Sequence, residues 1–110
     1  AYTALRAVLH ALRDRLTPAQ AVHLGAQLPT LVRGIYYEGW RMSDTPSRER
    51  RAEDFAEHVA FELPPGFPRD PARTAEAVFQ VLGAEIDPGE MAKVGRALPA
   101  SLRELWPVTA

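Results

Sequence analysis

Ala7–Tyr36, AVLHALRDRLTPAQAVHLGAQLPTLVRGIY, and Ala77–Trp106, AVFQVLGAEIDPGEMAKVGRALPASLRELW, align without a gap, and that alignment decides the fold. Eight of the thirty positions are identical: Ala7/Ala77, Val8/Val78, Leu12/Leu82, Pro18/Pro88, Gly25/Gly95, Leu28/Leu98, Pro29/Pro99 and Arg33/Arg103. Many other pairs keep their character, among them Leu9/Phe79, Leu16/Ile86, Gln20/Glu90, Leu24/Val94, Ile35/Leu105 and Tyr36/Trp106. The pattern reads as one helical unit used twice, each copy burying its apolar faces against its neighbours.

The paired residues have mechanical readings. Leu5, Val8, Leu9, Leu12 and Leu16 recur at the three-and-four spacing that lines one helical face. Thr17-Pro18 and Asp87-Pro88 each place a capping oxygen before a proline in the first helical turn, where the missing N–H costs nothing. A second helix therefore starts there in each copy. Leu28-Pro29 and Leu98-Pro99 end it, because the residue before proline is pushed out of the α region. Gly25 and Gly95, inside that helix, predict a close helix crossing where a side chain does not fit. A third short helix carries Leu31, Val32 and Ile35, or Leu102 and Leu105, towards Tyr36 or Trp106.

Between the copies, Ser43–Pro46 reads as a polar loop and Ser47–Leu63 as a helix with Phe55, Val59 and Leu63 on its apolar side. Pro64, Pro65, Gly66 and Pro68 break it, and Asp70-Pro71 caps the next helix. The second unit is then four helices, about 48–63, 71–85, 88–97 and 99–106. The predicted fold is all-α: one domain over 1–110, a compact bundle of about seven helices in two tandem related units with a pseudo-two-fold relation. The first unit covers about 1–40, a connecting loop 41–47 and the second unit 48–107. Repeat logic also predicts that a helix equivalent to 48–63 precedes Ala1, the natural chain starting about 20 residues earlier. Lacking it, the first unit exposes an apolar groove that a neighbouring molecule can fill.

Composition narrows the function classes. With 46% apolar and 25% charged residues over 110 positions, the chain is an ordinary globular one. There is no cysteine, which excludes disulfides and thiolate metal sites. Apolar runs fall far short of the roughly 20 residues that cross a bilayer, and no basic start leads into an apolar signal segment. The reading is a cytoplasmic protein with no membrane contact. Net charge is −1, divided as +2 over 1–46, −2 over 47–70 and −1 over 71–110, so no segment has the basic surplus that phosphate binding needs.

The runs ALRAVLHALRDRL at 4–16, AQLPTLVRGIYYEGW at 26–40, EDFAEHVAFEL at 53–63 and LPASLRELWP at 98–107 resemble bacterial proteins grouped as domain-of-unknown-function family 2267. The resemblance covers nearly the whole chain and implies a helical fold of two tandem units, here without the first helix. It carries no established activity, and no catalytic or binding residue transfers from it.

The candidates for chemistry are few. His10 has Asp14 one turn later, a pair that can orient an imidazole, but the same spacing is typical of a histidine beside a solvated carboxylate on a surface helix, which is the preferred reading. His23 pairs with Lys93 and is expected to be exposed. Asp54, His58 and Glu62 form an i, i+4, i+8 stripe flanking Phe55, Val59 and Leu63. With His10 they are the candidate metal ligands, although the Glu-x-x-His element of di-metal bundles is absent and a solvated flank is the preferred reading. Tyr36, Tyr37, Glu38, Trp40 and Arg41 are the candidate binding residues, since amphipathic aromatics beside arginine are typical interface anchors. The plainer reading is that Tyr36 and Trp40 plug the end of the bundle while Gly39 terminates a helix.

Arg48, Arg50 and Arg51 alternate with acidic residues, as on a solvated face. A helix-turn-helix over 18–38 would present Leu31, Val32, Ile35, Tyr36 and Tyr37 to base edges, with Arg33 its one basic residue, so nucleic acid is not the expected partner. No nucleophile, phosphate-loop, zinc-protease or calcium-loop motif is present. The function read from sequence is a non-catalytic helical module that binds another protein or another copy of itself, with no cofactor. The alternative is a small-ligand or metal-dependent activity at the junction of the two units, using His10, His58 or Glu38.

Overall fold

Proline and capping chemistry place the helix boundaries of the computed structural model, which describes residues 2–41 and 52–107. Seven helices and no strand occur among the described residues: α1 Tyr2–Arg15, α2 Pro18–Ala26, α3 Thr30–Tyr37, α4 Ala52–Glu62, α5 Pro71–Glu85, α6 Pro88–Ala97 and α7 Ala100–Arg103. Thr17 accepts from the Gln20 N–H while the Gln20 side chain accepts from the Thr17 N–H, a reciprocal capping box before Pro18. Asp70 accepts from the Arg73 N–H, and Asp87 from those of Gly89 and Glu90. These caps satisfy donors that the first helical turn leaves without partners. The expected spans 71–85 and 88–97 match α5 and α6. The expected last helix, 99–106, is shorter, because regular α7 ends at Arg103 and a turn carries the chain on to Trp106. The loop at Ser43–Pro46 and the start of the helix at 48 lie outside the described residues.

Helix α4 packs on α5, with the Phe55 and Phe79 rings 6.0 Å apart, and also on α1. The pairs His10/Glu62 and Asp14/His58 show that α1 and α4 run antiparallel. Val8, Leu9, Leu12 and Leu16 of the predicted α1 face are buried, while Leu5 is half-buried. With Leu24, Tyr36, Phe55, Val59, Phe79, Met91, Leu102 and Trp106 they form one core. No helix among the described residues is long and apolar enough to cross a membrane.

The two helical glycines touch rings rather than a crossing helix. A Cβ on Gly95 would lie 2.8 Å from Trp106 Cδ1, and one on Gly25 would collide with the Tyr37 hydroxyl and come within 3.1 Å of Tyr36 Cε2. Close approach was the right expectation, with an aromatic from the segment after the proline as the neighbour: Tyr36 and Tyr37 in α3, Trp106 just beyond α7. Gly95→Ala should therefore cost about 1–3 kcal/mol by overpacking. Gly34→Ala, on an exposed turn of α3 where nothing stands within 4 Å, should gain about 0.5–1 kcal/mol of helix propensity. Urea midpoints for the two variants moving in opposite directions is the outcome that checks this account.

Candidate functional site

The aligned stretches 7–36 and 77–106 share a set of side-chain bonds at their paired positions. Arg33 Nε donates to the Gly25 carbonyl at 2.9 Å and an NH2 donates to Leu28 at 2.9 Å; Arg103 donates to Gly95 at 2.9 Å and to Leu98 at 2.8 Å. These carbonyls lie at the C-terminus of α2 or α6, where Gly25 and Gly95 also accept the Leu28 and Leu98 N–H and the dipole favours a cation. The aromatic three residues on reaches further back. Tyr36 Oη donates to the Ala21 carbonyl at 2.7 Å, and Trp106 Nε1 to that of Met91 at 2.9 Å.

The candidate binding segment 36–41 divides by burial. Tyr36 is fully buried, Tyr37 and Trp40 are half-buried, and Glu38, Gly39 and Arg41 are exposed. Tyr37 stacks between its neighbours, edge-on to Tyr36 at 5.0 Å and tilted against Trp40 at 5.4 Å. Gly39 has φ +69°, the left-handed conformation that ends a helix, as the plainer reading expected. The Trp40 indole Nε1 is buried with no acceptor among the described residues. Glu38 accepts from Arg6 Nε at 2.9 Å, an exposed pair that contributes little. The segment is thus a bundle end with one face of Tyr37 and Trp40 showing.

Sequence reasoning missed Arg13. Only 4% exposed, it donates to the carbonyls of Tyr36 and Glu38, each at 2.8 Å, and to Asp14 at 2.8 Å. His10 joins it, Nε2 donating to the Ile35 carbonyl at 2.7 Å. The surface-histidine reading of His10 is therefore corrected: it is buried, 6% exposed, because α4 covers that face of α1, and its partner is a backbone carbonyl rather than Asp14. Together the two side chains close the C-terminus of α3, which extends to Tyr37, whereas α7 has Gln80 and Gly83 at the paired positions of α5 and ends after four residues. The recurrence of Arg33 and Arg103 was the available signal for such closures.

The expected stripe Asp54, His58, Glu62 does turn towards α1. Glu62 Oε1 lies 3.6 Å from His10 Nδ1 and Asp14 Oδ2 lies 3.9 Å from His58 Nε2, with Asp54 half-buried beside them. The stripe is thus a polar interhelical layer rather than a wholly solvated flank. No group of three or more His, Asp or Glu side chains placed to hold a metal ion occurs among the described residues. His23 is exposed, as expected, in a groove of about 320 Å³ between α2 and α6 that Glu90, Lys93 and Arg96 also line. Arg48, Arg50 and Arg51 lie outside the described residues.

Two measurements check this arrangement. Arg13→Met should lose about 3 kcal/mol, since it leaves buried carbonyls and Asp14 without their charged donor. Burial, reinforced by the neighbouring Tyr37 phenol and only partly offset by Arg13, raises the Tyr36 phenol well above the usual tyrosine value of about 10. The phenolate is thus penalised in the folded chain alone. That contribution to stability is complete below about pH 10 and is lost as pH rises beyond it. Denaturation midpoints followed through the alkaline range should fall, and Tyr36→Phe should flatten that fall while costing about 1 kcal/mol at neutral pH for the lost hydrogen bond.

No curated protein matches the chain. Residues 1–105 match the family described as Uncharacterized conserved protein (DUF2267), and the chain accordingly belongs to that family.

Proposed function

We propose that the chain is a non-catalytic helical module that works by contact with another protein or with a second copy of itself. The observation that carries this reading is the amount of large apolar side chain left in solvent. Phe61 is 88% exposed, and Leu31, Val81, Tyr2 and Val22 are each about half exposed or more. Single exposed apolar residues are ordinary, but several large ones on a chain of this size favour a surface that another molecule covers. The side chains that sequence reading singled out for chemistry support the same view. His10 holds a backbone carbonyl, Glu38 holds Arg6, and Tyr36 is enclosed.

Light scattering on a size-exclusion column is the first test. A mass above that of one 12.2 kDa chain is expected for self-association. For a partner protein, capture from extract should be abolished by Leu31→Glu or Phe61→Glu. A chain that stays monomeric at high concentration, and captures the same proteins with and without these substitutions, overturns the reading.

A second reading, binding of a small ligand at the junction of the two units, is favoured by the groove between α2 and α6. There the imidazole of His23 and the cations Lys93 and Arg96 surround one acidic residue, Glu90, which suits an anionic molecule. A thermal shift produced by an anionic metabolite and lost on Lys93→Ala would favour it. A shift that survives that substitution would remove it.

A further inference from the structure

Helices α1 and α5 occupy paired places in the two units, yet the same face is covered on one and bare on the other. On α1, Ala7, His10 and Ala11 are buried and Asp14 half-buried beneath α4, which contributes Glu62 and His58 to the contact. On α5 the paired residues Ala77, Gln80, Val81 and Ala84 are all exposed, Val81 at 59% against 0% for Ala11. Residues spaced in this way share one face of a helix, and here three of the four are apolar and none is charged.

The imbalance extends to the other side of α4. Ala75 and Leu102, which belong to the unit that α4 starts, are buried, while their counterparts Leu5 and Val32 are only half-buried. A groove of about 590 Å³ lies where the connection from α4 enters α5, lined by Phe67, Asp70 and Arg73 together with Ala4 of α1 and Ala77 of α5, so it meets the bare stripe at Ala77. Several of the surfaces that α4 uses therefore have a more open counterpart, although Leu9, the pair of Phe79, is buried.

We propose that the face formed by Leu5, Val32, Ala77, Gln80, Val81 and Ala84 docks one further amphipathic helix of the α4 pattern, with large apolar residues at i, i+4 and i+8 as in Phe55, Val59 and Leu63. This rests on the interaction-module reading above and gives it a site and a partner chemistry. The α4 contact itself specifies the occupant. Small residues at 7 and 11 suit close helix packing on α1, and on α5 Ala77 is equally small while Val81 stands where Ala11 does. Gln80 and Ala84 stand where His10 and Asp14 meet Glu62 and His58, so the docked helix needs no acidic or basic partner there. Its affinity comes from apolar burial, the mode of helix-in-groove recognition.

The absence of cysteine permits a clean test. Val81→Cys supplies a single thiol on the bare stripe. Residues 52–70, which are α4 and its connection to α5, are then fused ahead of Tyr2, so that the copy stands to α1 as α4 stands to α5. Labelling of the thiol should slow by about tenfold or more, as expected when a tethered helix sees its site at millimolar effective concentration. The fused chain carrying native Val81 should melt higher than the unfused one. Val81→Asp should abolish that rise in the fused chain while leaving the unfused chain nearly unchanged, because the side chain is already in solvent. Equal labelling rates and equal melting temperatures with and without the fused helix overturn the proposal. If the unfused chain self-associates or captures a partner while the thiol stays equally reactive, the contact lies on another face: this proposal falls and the interaction reading stands.

Discussion

The Gly25 and Gly95 carbonyls, which Pro29 and Pro99 deny the next helical N–H and which keep only a tighter bond from Leu28 and Leu98, are the constraint on which the arrangement depends. Proline ends α2 and α6 by denying them another turn, and polar groups at a helix end must then find donors elsewhere. Arg33 and Arg103 supply them from eight residues beyond the glycine they bind, so the chain has to double back over the helix it has just left. That reversal brings the Tyr36 and Trp106 rings down on Gly25 and Gly95, the positions where a ring fits because no Cβ is present. Trp106 then meets Phe79 at 4.8 Å and Phe79 meets Phe55, so the aromatic core begins at these closures. Polar satisfaction and apolar packing are thus set by the same few residues.

The elements that sequence could place are those whose causes are local. Thr17, Asp70 and Asp87 cap the helices they precede, and the prolines act on their immediate neighbours, which is why the limits of α2, α5 and α6 can be read by eye. What escaped had causes at a distance. Arg13 reaches carbonyls 23 and 25 residues away, and nothing in the local pattern around it separates a buried arginine from a solvated one. His10 was misread for the same reason: its spacing to Asp14 looks like a surface pair, and only the position of α4 decides that it is not. The glycine pair was legible as a close approach, but the partner was an aromatic from the segment after the proline, which required knowing that the chain turns back.

Residues that match between the stretches 7–36 and 77–106 differ in what surrounds them. Arg33, Tyr36 and Gly25 act as Arg103, Trp106 and Gly95 do, whereas His10, Arg13 and Asp14 correspond to Gln80, Gly83 and Ala84. The first set closes each unit internally. Of the second set, His10 and Asp14 face α4 while Arg13 turns to the end of α3, and a charged side chain buried there needs a partner. On α5 that need does not arise, and small or neutral residues suffice.

This divergence bears on what kind of work the chain is suited to. An active site needs reactive groups held near solvent or substrate, with their charges not already committed. Among the described residues, the imidazole of His10 and the guanidinium of Arg13 are turned onto helix-end carbonyls, and the phenol of Tyr36 is sealed beneath the bundle end. The surface these closures leave behind is carried by Leu31, Phe61 and Val81, which offer area rather than chemistry. On the interaction reading proposed above, rigid helices held by buried polar bonds lose little conformational freedom when a partner helix settles against them.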